Sequence, residues 1–254
     1  MTNRTPLLVT IDVEGVVETG SCHSVDILDE VLADLSLPAT MFVTPKVIRE
    51  RTETVEQWID DDHTVGLHIH PGRLGGDSDW LGEYGQDAIE SFLEEGIAVF
   101  ESNLGERPQT FRAGRWSFSD DLLRALAATG FEFDASHRPV DPCAPYTSHD
   151  VVELPLSVFG SSIFRSQFLP WNVETLPLSI DALLASSFRS IACYIATWRI
   201  LATEQPYLMV GLHDYDLTSR SRRGRVERYL ARVSEFTTPV TIDEFETRMA
   251  EQNH

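Results

Sequence analysis

The stretch Leu7-Leu8-Val9-Thr10-Ile11-Asp12-Val13-Glu14-Gly15 constrains this chain more than any other. Apolar and β-favouring residues run without interruption into two carboxylates separated by one valine. A strand buried on both faces reads as such a run, and its carboxyl end is where parallel α/β sheets and barrels place ligands. Side chains alternate along a strand, so Asp12 and Glu14 point one way and Val13 turns into the packing. Two carboxylates facing one pocket need a cation or a proton between them. The stretch is therefore the candidate active-centre strand; the alternative is a strand end that runs into an acidic loop.

The rest of the chain alternates strand and helix. Val25–Leu35 has helical spacing with Ser24 as its N-cap, and a strand at Ala39–Val43 follows Pro38. A helix over Val47–Asp61 leads to a strand at Thr64–His70, then to a loop rich in glycine and aspartate, Pro71–Tyr84, a candidate rim of the site. A long amphipathic helix covers Gln86–Leu104. Next come a strand at Thr110–Arg112, a helix at Asp120–Thr129 stopped by Gly130, and strands at Phe131–Asp134 and Val151–Leu156. Phe159–Leu178 reads as irregular and Ile180–Leu201 as mostly helical. Tyr207–Leu212 is a buried strand that delivers His213. A helix over Arg225–Phe236 and a strand plus helix over Pro239–Gln252, opened by Thr241, complete the chain. This order predicts an α/β fold with parallel strands and right-handed crossovers. With 254 residues, 42% of them hydrophobic, the chain suits one domain over 1–254 of ordinary α/β-barrel size.

Charge narrows the partners. The formal net charge is -20, and only Lys46 among the 20 basic residues is a lysine. Such a field repels phosphate backbones, so no nucleic-acid partner is expected. Acidic surplus with few lysines resembles the composition of salt-adapted proteins, in which salt screens the self-repulsion. Cys22, Cys143 and Cys193 are far apart, and neither a disulfide framework nor a thiolate zinc site follows from them. No apolar run approaches a transmembrane span, and Met1–Pro6 is polar without a signal-like segment, so a cytoplasmic location is expected.

Residues with chemistry recur at strand ends: Asp12 and Glu14, His68 and His70, Arg112, Asp134 and His213. In a parallel barrel these ends converge on one mouth. His68 and His70 are two apart, so on a strand they share a face and can reach one metal ion. A carboxylate with two imidazoles and open positions is a common arrangement for Zn²⁺ or a similar divalent ion. The bland alternatives are a satisfied core histidine for His68, a structural hydrogen bond or substrate contact for His70, and a bond from His213 to Asp214 or Asp216. Arg112 could be an ion pair in the rim, and Asp134 a cap on backbone amides.

Several segments, taken in order, resemble the polysaccharide deacetylases of the NodB-homology type, also grouped as carbohydrate esterase family 4. Val9–Gly15 is similar to the family's first motif and Pro38–Val43 to its second-strand sequence. Val65-Gly66-Leu67-His68-Ile69-His70-Pro71 is similar to its histidine motif, and Phe111–Trp116 to its arginine motif. Phe133-Asp134-Ala135-Ser136 and Gly211-Leu212-His213 resemble the last two. The resemblance implies a distorted (β/α) barrel with about seven parallel strands and a metal-assisted hydrolysis of an N-acetyl group on a sugar. It implies Asp12 as general base toward the attacking water, Glu14 and His68 as metal ligands, and His213 as general acid. Arg112 would hold Asp12, and Asp134 would tune His213.

Two departures stand out. The family's second histidine falls four residues after the first, at Gly72 here; His70 is the substitute that strand periodicity offers. The ligand acid is Glu14 rather than the more frequent aspartate. The expected substrate is a carbohydrate or glycan precursor, with a small cyclic amide, or a non-catalytic glycan-binding role, as the alternatives. Trp116, Trp171 and Phe168 are candidates for stacking on sugar rings, with core packing as the competing reading.

Overall fold

Strand β1 (Pro6–Val13) divides its side chains between two environments, as its period of two requires. Leu7, Val9, Ile11 and Val13 join the larger apolar cluster, whereas Leu8 packs in a second cluster with Phe42, Met209 and Leu156. Thr10 and Asp12 lie on the face of Leu8, so the inner face of the sheet turns polar toward the carboxyl end of β1. The computed structural model describes residues 4–15, 21–138, 144–159, 178, 179, 194, 197, 198, 201 and 205–252. The sequence expectations for Phe159–Leu178 and Ile180–Leu201, including Trp171 and Phe168, fall almost wholly outside these described residues.

The strands that follow are β2 (Thr40–Val43), β3 (Thr64–Ile69), β4 (Thr110–Ala113), β5 (Phe133–Asp134), β6 (Tyr146–Ser148), β7 (Val151–Glu153), β8 (Val158–Phe159), β9 (Leu178–Ser179), β10 (Leu208–His213) and β11 (Thr238–Val240). The main sheet runs β10-β1-β2-β3-β4-β5-β7-β6, with β11 also paired to β1. All of its pairings are parallel except that of β6 with β7. The parallel pairing is what the alternation of elements predicted, and the sheet is curled into a half-barrel, as the family resemblance implied.

The helices that cover it are α1 (His23–Leu35), α2 (Pro45–Glu50), α3 (Thr52–Asp60), α4 (Gln86–Leu104), α5 (Asp120–Ala128), α6 (Arg220–Ser234) and α7 (Ile242–Gln252). Their apolar faces (Leu28 and Val31 of α1, Leu93 and Phe100 of α4, Leu122 and Leu126 of α5) complete the larger cluster. Burying each such side chain contributes roughly 1.5–3 kcal/mol. Among the described residues no helix is long and apolar enough to cross a membrane.

Two expectations change. The single helix over Val47–Asp61 is two, broken at Arg51 (φ −137°, ψ 36°), where the Thr52 hydroxyl donates to the Ile48 carbonyl at 2.7 Å. Ser24 does not cap α1; the N-cap position is Cys22, and the Ser24 hydroxyl bonds Asp214 Oδ2 at 2.6 Å instead.

Candidate metal centre and active site

Register brings the chemistry together. Asp12 of β1 lies opposite His213 of β10, and His68 of β3 lies opposite Arg112 of β4, all at or near the carboxyl ends of parallel strands. Glu14 follows one step beyond β1, where Gly15 turns the chain at φ +73°. The buried Asp214 carboxylate fixes that turn, accepting from Glu14 N at 3.1 Å, Gly15 N at 2.9 Å and the Ser24 hydroxyl. Burial pushes the Asp214 carboxyl above the usual range, and these donors partly offset it.

Glu14, His68 and His70 are buried together, each offering one ligand atom within 4.8 Å of the others. Glu14 Oε1 lies 3.2 Å from His70 Nε2 and 3.6 Å from His68 Nε2, and the two Nε2 atoms are 3.2 Å apart. His68 Nδ1 sits 2.8 Å from the carbonyl oxygen of Arg112, and His70 Nδ1 sits 3.2 Å from Asp79 Oδ2. Both partners accept only, so each Nδ1 carries the hydrogen. Neutral rings then turn two bare Nε2 lone pairs toward each other and toward a carboxylate oxygen, which repels unless a cation lies between them. Donors 2.0–2.1 Å from a tetrahedral ion are about 3.3 Å apart, which the three separations approach. The donor set fits a divalent ion such as zinc.

The space around His70 is shaped by two glycines. A Cβ on Gly114 would lie 2.5, 2.6 and 2.7 Å from ring atoms of His70, so only glycine admits the ring there. A Cβ on Gly72 would lie 3.1 Å from Asp79 Oδ1, so the position of the family's second histidine is crowded by the carboxylate that holds His70.

Arg112 is fully buried, its guanidinium between the rings of Phe42 (4.3 Å) and Trp116 (4.4 Å). It donates to Asp12 Oδ1, Thr10 Oγ1 and the Ala135 carbonyl, each at 2.9 Å. A buried guanidinium is tolerable only with partners of this kind. Trp116 is half-buried and packs against Arg112, Gly211 and the second apolar cluster.

His213 Nε2 lies 3.8 Å from Asp12 Oδ2 and 3.9 Å from Glu14 Oε1, and its ring stacks on Tyr215 at 4.7 Å. Its Nδ1 is 3.5 Å from Asp216 Oδ2, and Arg222 pairs with Asp216 from the other side. Burial disfavours the imidazolium, but Asp216, Asp12 and Glu14 outweigh it and raise the pKa to about 9.

The expected partnership of Asp134 with His213 is not what the structure shows. Asp134 is buried on β5, bonded by the Ser136 hydroxyl at 2.5 Å and level with Glu153 of β7. Burial raises both carboxyls, Glu153 further because Asp134 faces it. Sheet order accounts for the difference: β5 lies beyond β4, and His213 stands on β10 across β1. Asp216 takes the place assigned to Asp134.

Sequence reasoning also missed Arg73, whose Nη2 is 2.5 Å from Glu14 Oε2, and Asp79. Both lie in the loop after β3 that was expected to rim the site. Around the pocket four carboxylates each have an arginine: Asp12 with Arg112, Glu14 with Arg73, Asp79 with Arg115 and Asp216 with Arg222.

The sequence profile of the polysaccharide deacetylases matches residues 4–133. Among solved structures, one from Mycobacterium smegmatis assigned as a polysaccharide deacetylase superposes with a TM-score of 0.70 at 17% identity, over 99% of this chain and 92% of that one. The PuuE allantoinase gives 0.66 at 14% identity, over 94% and 88%. The peptidoglycan deacetylase PdaC of Bacillus subtilis gives 0.56 at 14% identity, over 99% and 94%. No curated protein matches the sequence.

Proposed function

Because the chain belongs to the polysaccharide deacetylase family of carbon–nitrogen hydrolases, we propose that it removes acetyl from an N-acetylated sugar or glycan precursor with a divalent metal ion, zinc by preference. The observation that carries the metal dependence is the convergence of Glu14 Oε1, His68 Nε2 and His70 Nε2 with both Nδ1 atoms already engaged. An ion held there supplies Lewis acidity, lowering the pKa of water to about 7 and polarising the acetyl carbonyl.

The protein's own groups divide the proton work. Asp12 is the general base: Arg112 takes Oδ1 and fixes the carboxylate's orientation, while Oδ2 faces the pocket toward His213. His213 is the general acid that delivers a proton to the departing amine, and Asp216 keeps its imidazolium protonated at neutral pH. Arg73 occupies Glu14 Oε2, which leaves Oε1 to face the imidazoles.

The test joins metal analysis to a substrate panel. Purified protein is expected to hold roughly one zinc per chain and to release acetate from N-acetylglucosamine oligomers, with both properties lost in His68→Ala. A protein without metal that stays inactive after zinc addition refutes the enzyme reading and leaves a glycan-binding role. The fold likeness to an allantoinase favours one second reading, opening of a cyclic amide by the same site. Ring opening of allantoin with no acetate release would select it.

A further inference from the structure

Resting on the metal site proposed above, we infer that Asp79 is a positioning residue. It fixes the orientation and tautomer of His70, and with Gly72 and Gly114 it rebuilds the second imidazole position at a new place in the chain. The side chain at position 79 comes from the loop after β3, outside every motif that suggested the site.

Asp79 Oδ2 accepts from His70 Nδ1 at 3.2 Å and from Arg115 Nε at 3.2 Å, so the carboxylate is itself held from a second side. An imidazole whose Nδ1–H points into a carboxylate presents Nε2 as an unprotonated donor, and it does so in one ring orientation. His68 obtains the same result from the Arg112 carbonyl, a backbone group that any residue at position 112 would supply. His70 lies past the end of β3, with no strand neighbour to do this, and needs a side chain.

The two glycines make this arrangement and a histidine at position 72 hard to combine. A side chain at position 72 would begin 3.1 Å from Asp79 Oδ1, so it would push against the group that orients His70. A side chain at position 114 would begin inside contact distance of the His70 ring. Gly72 and Asp79 from the loop after β3 and Gly114 from just beyond β4 all serve one ring. Their common purpose is to move the second imidazole from four residues after His68 to two.

Zinc titration of the metal-free protein against a chromophoric chelator compares wild type with H70A, D79A and D79N. Long-range ¹H–¹⁵N spectra of the metal-free proteins report the imidazole tautomers. D79A is expected to weaken zinc binding about 10- to 100-fold and to release His70 from its Nδ1–H tautomer while His68 keeps its own. D79N retains a carbonyl acceptor and is expected to restore the tautomer and most of the affinity. This rescue also separates positioning from a loop that has merely loosened. If H70A loses zinc but D79A binds like wild type, or D79A leaves the His70 tautomer unchanged, the inference falls and the metal site stands. If wild type itself binds no zinc, the proposed function fails and the inference with it.

Discussion

Replacing Gly114 by alanine tests the metal centre without touching a ligand. The new Cβ would lie 2.5 Å from His70 Nδ1, 2.6 Å from Cε1 and 2.7 Å from Cγ. Ordinary contact is about 3.5 Å, so the ring must recede by roughly 0.9 Å. Metal–ligand distances tolerate only about 0.2 Å, so His70 Nε2 leaves the ion even if the fold adjusts around it. Zinc affinity is expected to fall at least about 100-fold, or about 2.7 kcal/mol. The overpacked ring is expected to lower the stability of the metal-free protein by about 1–3 kcal/mol. Zinc competition titration and urea unfolding read the two effects separately. Adding His70→Ala removes the clash, so the double variant should regain stability but not zinc. Gly85→Ala, where a Cβ meets nothing within 4 Å, is the control and should bind zinc like wild type. Unchanged zinc affinity in Gly114→Ala would show that the His70 ring is not a ligand in this position.

Arg112→Met should destabilise the protein by about 3–5 kcal/mol in urea unfolding and abolish activity, because it leaves the buried Asp12 carboxylate without its cation. His213 has its folded pKa raised, so its stabilising contribution is complete below about pH 6.5 and is lost as pH rises through about 9. Melting of the metal-free protein should show this decline, and Asp216→Asn should flatten it; an identical pH profile in the variant refutes the role of Asp216. In the metal-loaded enzyme the ion screens Glu14, so the alkaline limb of kcat/KM should fall at or below about 9 and move lower in Asp216→Asn. With a net charge of -20, the melting temperature should rise from low salt to molar potassium chloride, and a flat response would count against salt adaptation.

Much of the site was legible because strand geometry is local. The alternation of β1 places Asp12 and Glu14 on one side with Val13 in the core, and the same rule brings His68 and His70 to a single carboxylate oxygen. Arg112 and His213 could be placed at the mouth because parallel strands end together. Asp134 illustrates the limit of that inference. Its strand end belongs to the same sheet, but its neighbours depend on strand order and curl, which no local pattern encodes. Ser24 failed for a related reason: a serine at a helix start has the right chemistry for a cap, and Asp214, from the far end of the chain, drew its hydroxyl away.

The sequence by itself determined the carboxylate pair, the histidine pair and the alternation that carries them to one end of a parallel sheet. These follow from a two-residue period and from burial of apolar runs, both short-range properties. Tertiary structure decided which groups complete the site: Arg73 and Asp79 from a loop, Asp216 in place of Asp134, and Gly114 as the space that His70 fills. Loop side chains and empty volumes are fixed by contacts between segments distant in the chain, and such contacts exist only once the sheet has curled.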